Sequence, residues 1–231
     1  RDVNVATDIL VVGPAEHSVP LLRDALQARG VGRDAGVFAA ALRAAAAAET
    51  AESGARWLPW VAALQEALDD DAVVATDNAM CVYYGALPHL VVRRPSSLHF
   101  PTGFGTLGFT VPVAIGSALA APDRQVVGIS GDGGLLFTAT ELATAAAERL
   151  PIAVVVFDNG GYGEIRNEMV DRDEEPVAVA APPRDLVLLA QSLGAHGVRV
   201  ETPDQLTAEL AAARTRTGPT VVVVPESPRE G

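Results

Sequence analysis

The chain has 231 residues with 17 basic against 29 acidic side chains, a formal charge of −12, and every basic residue is arginine. The absence of lysine excludes a P-loop lysine, a Schiff-base lysine and an anchor for pyridoxal phosphate; an acidic balance with no basic cluster argues against nucleic acid and an anionic membrane as partners. With 49% hydrophobic and 20% charged residues there is material for a sizeable core, and the single cysteine, Cys81, rules out an internal disulfide framework.

In chain order, Asp8-Ile9-Leu10-Val11-Val12-Gly13 predicts a short strand, and Leu21, Leu22, Ala25 and Leu26 predict a helix over 18–29. A glycine-rich stretch and an alanine-rich helix over 37–52 follow, the composition of a connection between domains. From Trp57 the pattern becomes regular: helix 59–69, strand 72–76, a loop, helix 109–121, strand 125–130, helix 138–149 and strand 152–157. Helix 185–193, strand 195–200, helix 203–214 and strand 219–224 complete it. Runs such as Ile152-Ala153-Val154-Val155-Val156-Phe157 are apolar without alternation, as strands buried on both faces require. Strands of this kind alternating with helices predict an α/β fold, a doubly wound parallel sheet with helices on both faces. Ligands of such sheets bind beyond the carboxyl ends of the strands. Segment 170–184, with four acidic residues and three prolines, has no periodicity and reads either as an active-site loop or as a plain surface loop. No apolar run approaches the roughly 18 residues of a membrane span, and Arg1-Asp2-Val3 opens no signal-like segment, so a cytoplasmic location without membrane contact is expected.

Two loops stand out. Gly131-Asp132-Gly133-Gly134 follows one buried strand, and Asn159 closes the next, 27 positions after Asp132, in Asp158-Asn159-Gly160-Gly161-Tyr162-Gly163. Consecutive parallel strands joined by one crossover lie close together, so the two loops face one space. A carboxylate, an amide oxygen and a carbonyl in glycine-rich chain form an oxygen-only set, suited to Mg²⁺ or Ca²⁺ and not to Zn²⁺. Mg²⁺ completes its octahedron with phosphate oxygens and water, which predicts a metal–diphosphate site.

The run from Gly131-Asp132-Gly133 to Asp158-Asn159 resembles the signature of thiamine diphosphate enzymes, and Gly103-Phe104-Gly105-Thr106-Leu107-Gly108-Phe109 resembles their upstream GxGxxG segment. Acetolactate synthases and 2-oxo acid decarboxylases share this order. The resemblance implies that residues 57–231 are the diphosphate-binding domain, residues 1–30 a remnant of the middle domain and 31–56 the linker. It implies that Asp132, Asn159 and the carbonyl of Gly161 ligate Mg²⁺, and that amides near Gly133, Gly134 and Tyr162 bind the diphosphate. Gly105 would present its carbonyl to the aminopyrimidine, and Leu107 would wedge the cofactor into its bent form. The loop Thr76-Asp77-Asn78-Ala79-Met80-Cys81 departs from the family, offering only Asn78 and Cys81 where polar side chains usually reach the diphosphate. The resemblance further implies that the glutamate activating the cofactor lies on a pyrimidine-binding domain outside this chain, in the same polypeptide or a separate subunit. The chain alone would then not turn over, and the assembly would be a homo- or hetero-oligomer. Whether FAD is bound stays open, because the middle domain carries it in some relatives.

Glu164-Ile165-Arg166-Asn167-Glu168 follows the metal loop, where related decarboxylases line the substrate pocket. Glu164 and Glu168 are four apart and share a helical face, so they would favour a cationic tail such as a guanidinium, as in enzymes acting on 5-guanidino-2-oxopentanoate; the plain alternative is a solvated helix face. The implied function is decarboxylation of a 2-oxo acid, with an acetolactate synthase-type carboligase and a non-catalytic subunit as alternatives. His17, His89, His99 and His196 have no partners at ligand spacing, Ser96-Ser97 lacks a nucleophile context, and Trp60, Tyr83 and Tyr84 read as packing residues.

Overall fold

The computed structural model describes residues 8–30 and 36–226. The chain divides into two compact units, 1–46 and 47–231. The first holds helix α1 (Ala15–Ala28), none of whose residues is buried, and the start of α2 (Gly36–Gly54). The strand expected over 8–13 is not formed. Ile9 to Val12 are between 68% and 88% exposed, and with no neighbouring strand among the described residues an isolated extended run has no ladder to stabilise it.

The second unit contains α3 (Leu58–Ala67), β1 (Val73–Thr76), a π-helical segment (Cys81–Ala86) continued by α4 (Leu87–His89), β2 (Leu98–His99), α5 (Thr110–Ala120), β3 (Val126–Gly131), α6 (Asp132–Thr138) and α7 (Glu141–Ala147). It continues with β4 (Ala153–Asp158), α8 (Gly163–Asp171), α9 (Leu186–Ser192), β5 (His196–Arg199), α10 (Pro203–Ala213) and β6 (Thr220–Pro225). The six strands form one parallel sheet in the order β2-β1-β3-β4-β6-β5. The doubly wound α/β architecture expected from the apolar runs is therefore present.

Alternate residues of the central strands feed opposite cores. Val73, Ala75, Val154, Val156, Val221 and Val223 pack with Val111, Leu142 and Leu186 of α5, α7 and α9. Val74, Ile129, Val155, Phe157, Val222 and Val224 pack on the other face with Leu64 of α3, Val82 of the π-helical segment and Leu206 of α10. Each fully buried aliphatic side chain contributes about 1.5–3 kcal/mol, so both layers hold the sheet rigid where the loops emerge. From β1 the chain turns outward to β2 and then returns to β3 on the other side of β1. This reversal makes the carboxyl ends of β1 and β3 the switch point where a crevice opens.

Three expectations need adjusting. The helix expected over 138–149 is two: α6 starts at Asp132 inside the glycine-rich loop, and α7 follows. The loop after β1 contains the π-helical segment, and β2 adds a two-residue strand that its length hides from pattern reading. Segment 170–184 begins as the last turn of α8 and then turns back, with Tyr162 N donating to Val179 O at 2.8 Å and Ala181 N to Gly160 O at 2.8 Å.

Candidate functional site

The loops after β1, β3 and β4 and the Gly103–Phe109 run enclose a cavity of about 270 Å³. Gly105, Leu107, Asp132, Gly133, Gly134, Asn159, Gly161 and Tyr162 all line it, as does Glu164. The register explains the convergence: Gly131 at the end of β3 lies opposite Phe157 near the end of β4, so Asp132 and Asn159 leave adjacent strands at one level.

Asp132 is fully buried at the start of α6, and a carboxylate in a first helical turn is favoured by the helix dipole. Asn159 N approaches Asp132 Oδ1 at 3.4 Å. One terminal atom of the Asn159 amide lies 3.0 Å from the Gly161 carbonyl oxygen and 3.2 Å from Asp132 Oδ1. As the NH₂ group it donates to both. Turned by 180° it presents a third oxygen to the same point, and three facing acceptors require a cation between them. This donor set fits a hard divalent cation whose remaining ligands come from phosphate and water. No group of three His, Cys, Asp or Glu side chains among the described residues makes a metal cluster, so such a cation depends on these amide and carbonyl oxygens. Burial pushes the Asp132 carboxyl above the usual carboxylate range; the Arg184 guanidinium pulls it back and Asp158 pushes it further up.

Close approach of backbone shapes the cradle. A Cβ on Gly133 would stand 2.9 Å from the Tyr162 ring, and one on Gly134 would stand 2.9 Å from Asp77 Oδ2. Gly105 borders open space at φ +72°, a conformation that glycine adopts without strain and that leaves the backbone there uncovered by a side chain of its own. Tyr162 lines the cavity with its ring, but its amide is spent on Val179 O, which removes that donor from the set expected for a diphosphate.

Asp77 was not singled out by its sequence context, yet it ties the site together. Fully buried, it accepts from Asn78 N at 2.9 Å, from Gly108 N at 3.0 Å and from Ser130 Oγ at 3.3 Å, linking the ends of β1 and β3 to the loop that carries Leu107. Burial raises its pKa, opposed by these bonds. Asn78 lines the cavity and donates its side-chain amide to Thr106 O at 2.8 Å. Cys81 is buried in the second core and does not line the cavity, its thiol pushed well up by burial.

A second cavity, about 900 Å³, adjoins the first and shares Met80 and Glu164 with it. Its wall carries Glu49, Glu52, Glu168 and Asp171 beside Arg56 and Trp57. Glu164 accepts a hydrogen bond from Tyr84 Oη, whereas Glu168 pairs with Arg172 at 3.4 Å on an exposed face, a contact worth about 0–1 kcal/mol. Tyr84 and Arg184 are the functional candidates that pattern reading missed. Tyr84 stacks on Trp57 with ring centroids 5.8 Å apart, and the π-helical turn that aims both tyrosines at the cavities has no clear sequence signature.

The fold and cleft define a doubly wound α/β domain whose switch-point crevice offers a cation-type oxygen set beside a glycine-lined cradle. Residues 81–224 match the family described as thiamine pyrophosphate enzyme, C-terminal TPP binding domain, and the chain belongs to that family. It is 39% identical over 157 residues to a probable 2-ketoarginine decarboxylase of Pseudomonas aeruginosa, covering 68% of this chain and 28% of the relative. It is 35% identical over 162 residues to an acetolactate synthase of Bacillus subtilis, covering 70% of this chain and 28% of that protein. Among solved structures, a thiamine diphosphate-dependent 4-hydroxybenzoylformate decarboxylase of Rhodococcus jostii superposes with a TM-score of 0.67 at 29% identity, over 75% of this chain and 33% of that one. The chain thus spans under a third of the length of these two curated relatives.

Proposed function

We propose that this chain is the diphosphate- and Mg²⁺-binding part of an enzyme that decarboxylates a 2-oxo acid with a cationic, guanidino-type tail. One observation carries the substrate class: Glu164 lines both cavities, so a single carboxylate stands where the cofactor space opens into an acid-walled chamber. A guanidinium pairs with carboxylates through charge-assisted bonds, and an anionic tail would be repelled there. The 39% identity to a probable 2-ketoarginine decarboxylase supports the same reading.

Thiamine diphosphate, when bound, supplies the electron sink that loss of CO₂ from a 2-oxo acid needs. The residues of this chain hold and orient it. Asp132, Asn159 and the Gly161 carbonyl would take the Mg²⁺, Gly133 and Gly134 would let the diphosphate approach backbone, and Leu107 would pack against the cofactor. A pyrimidine-binding domain, from the same polypeptide or another subunit, supplies the activating glutamate. The similarity to acetolactate synthases supports a second reading, carboligation, which differs only in what captures the decarboxylated fragment.

The test is steady-state kinetics of the whole enzyme. Glu164→Gln raises KM for a guanidino-2-oxo acid far more than KM for pyruvate; equal effects on both substrates sink the substrate assignment. With pyruvate, an aldehyde product supports decarboxylation and an acyloin product supports carboligation. Calorimetric titration with thiamine diphosphate shows Mg²⁺-dependent binding that Asp132→Ala abolishes.

A further inference from the structure

Asp132 is held from two sides by different chemistry. Its Oδ1 faces Asn159, whose side-chain amide also meets the Gly161 carbonyl, whereas Arg184 sets Nη2 against its Oδ2 and lies 4.0 Å from Asp158 Oδ1. Arg184 directly precedes Asp185, the N-cap of α9, and ends the segment that folds back over Gly160–Tyr162. Its Nη1 donates to Pro182 O at 3.1 Å, and its Nε is buried with no hydrogen-bond partner. The side chain is only 18% exposed, and a guanidinium does not lose its charge. The oxygen offered to a cation therefore belongs to a carboxylate already offset by a permanent positive group.

We infer that Arg184 makes this site select a divalent cation already joined to a diphosphate over the bare cation. The inference rests on the reading that Asp132, Asn159 and the Gly161 carbonyl hold the cation. Affinity of oxygen sites for divalent ions follows the charge of the ligand set, and a guanidinium on the same carboxylate both neutralises and repels a free ion. A diphosphate outweighs the charge of one divalent ion, so their complex is anionic and meets the same guanidinium as an attraction. The unpartnered Nε leaves the guanidinium one acceptor short, which a neighbouring anion relieves. One residue thus acts with opposite sign on two ligands. Arg184 is a positioning residue, working through Asp132 and through its field.

The experiment uses the whole protein, with Mn²⁺ alone titrated and the free ion read from its spin resonance signal, and with the preformed Mn²⁺–pyrophosphate complex titrated by calorimetry. Arg184→Gln tightens binding of Mn²⁺ alone and weakens binding of the Mn²⁺–pyrophosphate complex, each by about tenfold, the scale on which neighbours of metal ligands act. Arg184→Lys keeps the wild-type preference, because the charge is retained. Arg184→Met, which preserves the aliphatic stem, gives the same readout where the glutamine variant folds poorly. Affinities that move in the same direction for both ligands, or not at all, overturn the inference. Asp132→Asn separates the underlying reading: if it leaves both affinities at the wild-type level, the cation site is not at Asp132 and that reading fails first.

Discussion

Tyr84 Oη donates to Glu164 Oε1 at 2.7 Å, across 80 positions of sequence. Stacking on Trp57 fixes the tyrosine ring, and so the phenol fixes one carboxylate oxygen and leaves the other for a ligand. A hydrogen bond to a charged group is worth about 1.5–3 kcal/mol, and part of that appears as ligand affinity when the carboxylate loses its orientation. Tyr84→Phe is expected to raise KM for a guanidino-2-oxo acid by about threefold to tenfold while leaving kcat and the kinetics with pyruvate near wild type. Steady-state kinetics with both substrates measure this. A proportional loss on pyruvate would mean that Tyr84 supports the cofactor cavity in general and not the tail of the substrate.

Gly161 stands at φ +147°, and a Cβ there would lie 2.2 Å from Val179 O and 2.9 Å from Ala181 N. Alanine at this position has to push the 179–181 stretch off the loop that follows β4, breaking the bond between Tyr162 N and Val179 O as well. The expected cost is about 1–3 kcal/mol, which for a chain of this size lowers Tm by roughly 2–4 °C per kcal/mol. Gly103→Ala is the control, because a Cβ there meets nothing within 4 Å and its φ is not positive. Thermal melts should separate the two variants clearly. Adding Mg²⁺ and thiamine diphosphate should stabilise Gly103→Ala as it does wild type, and Gly161→Ala less, since the displaced carbonyl is a proposed ligand.

The parts of this picture that sequence disclosed are those where one local pattern has one physical meaning. Val154-Val155-Val156, β-branched and apolar without alternation, reads as a strand covered on both faces, so the parallel sheet followed, and with it the expectation that the loops of Asp132 and Asn159 face one space; the register that sets them at one level came from the structure. The start of α6 was hidden because Gly133 and Gly134 are poor helix formers; tertiary contacts with Asp77 and Tyr162 hold them helical and demand glycine at the same time. Arg184 was invisible for another reason. It meets Asp132 from 52 positions away, across a segment with no periodicity, and only the folding back of 179–181 brings the two together. Tyr84 shows the same limit, since its aromatic surroundings read as packing until a π-helical turn aims its hydroxyl at Glu164.

Asn78 holds the loop of Leu107 from the opposite bank. Its Nδ2 donates to Thr106 O at 2.8 Å, alongside the bond from Gly108 N to Asp77. Asn78→Ala removes the side-chain bond while leaving the Asp77 anchor in place, so the chain should fold with Tm within a few degrees of wild type. The loop bearing Gly105 and Leu107 then loses one of its two fixings to the end of β1. Affinity for thiamine diphosphate is expected to fall by about threefold to tenfold at saturating Mg²⁺, corresponding to one lost hydrogen bond. Asn78→Asp separates positioning from direct contact. A carboxylate cannot donate to Thr106 O, so it should match alanine if Asn78 acts through the loop; a much larger loss would mean that position 78 contacts the diphosphate and repels it when charged.

Glu226 follows β6 and sits beneath Trp57, 7% exposed in its side chain, accepting from Trp57 Nε1 at 2.5 Å and pairing with Arg56 at 3.3 Å. Two effects compete for its proton. Burial disfavours the carboxylate, whereas Arg56 and the indole N–H favour it, and burial prevails, so the pKa lies above its ordinary value of 4.5. The folded chain therefore holds this proton more tightly than the unfolded chain does. Its contribution to stability is complete below the ordinary value and is lost as pH rises through the raised one. Asp77 and Asp132, also raised by burial, act in the same direction, so the slope of the wild-type protein alone does not isolate Glu226. Glu226→Gln does, because the amide keeps an acceptor for Trp57 but binds no proton. Between about pH 4 and 7, the Tm of wild type minus that of Glu226→Gln should decrease steadily as pH rises. A difference that instead grows with pH would mean that the ion pair with Arg56 outweighs desolvation, and Glu226 would then be a stabilising anion rather than a buried acid.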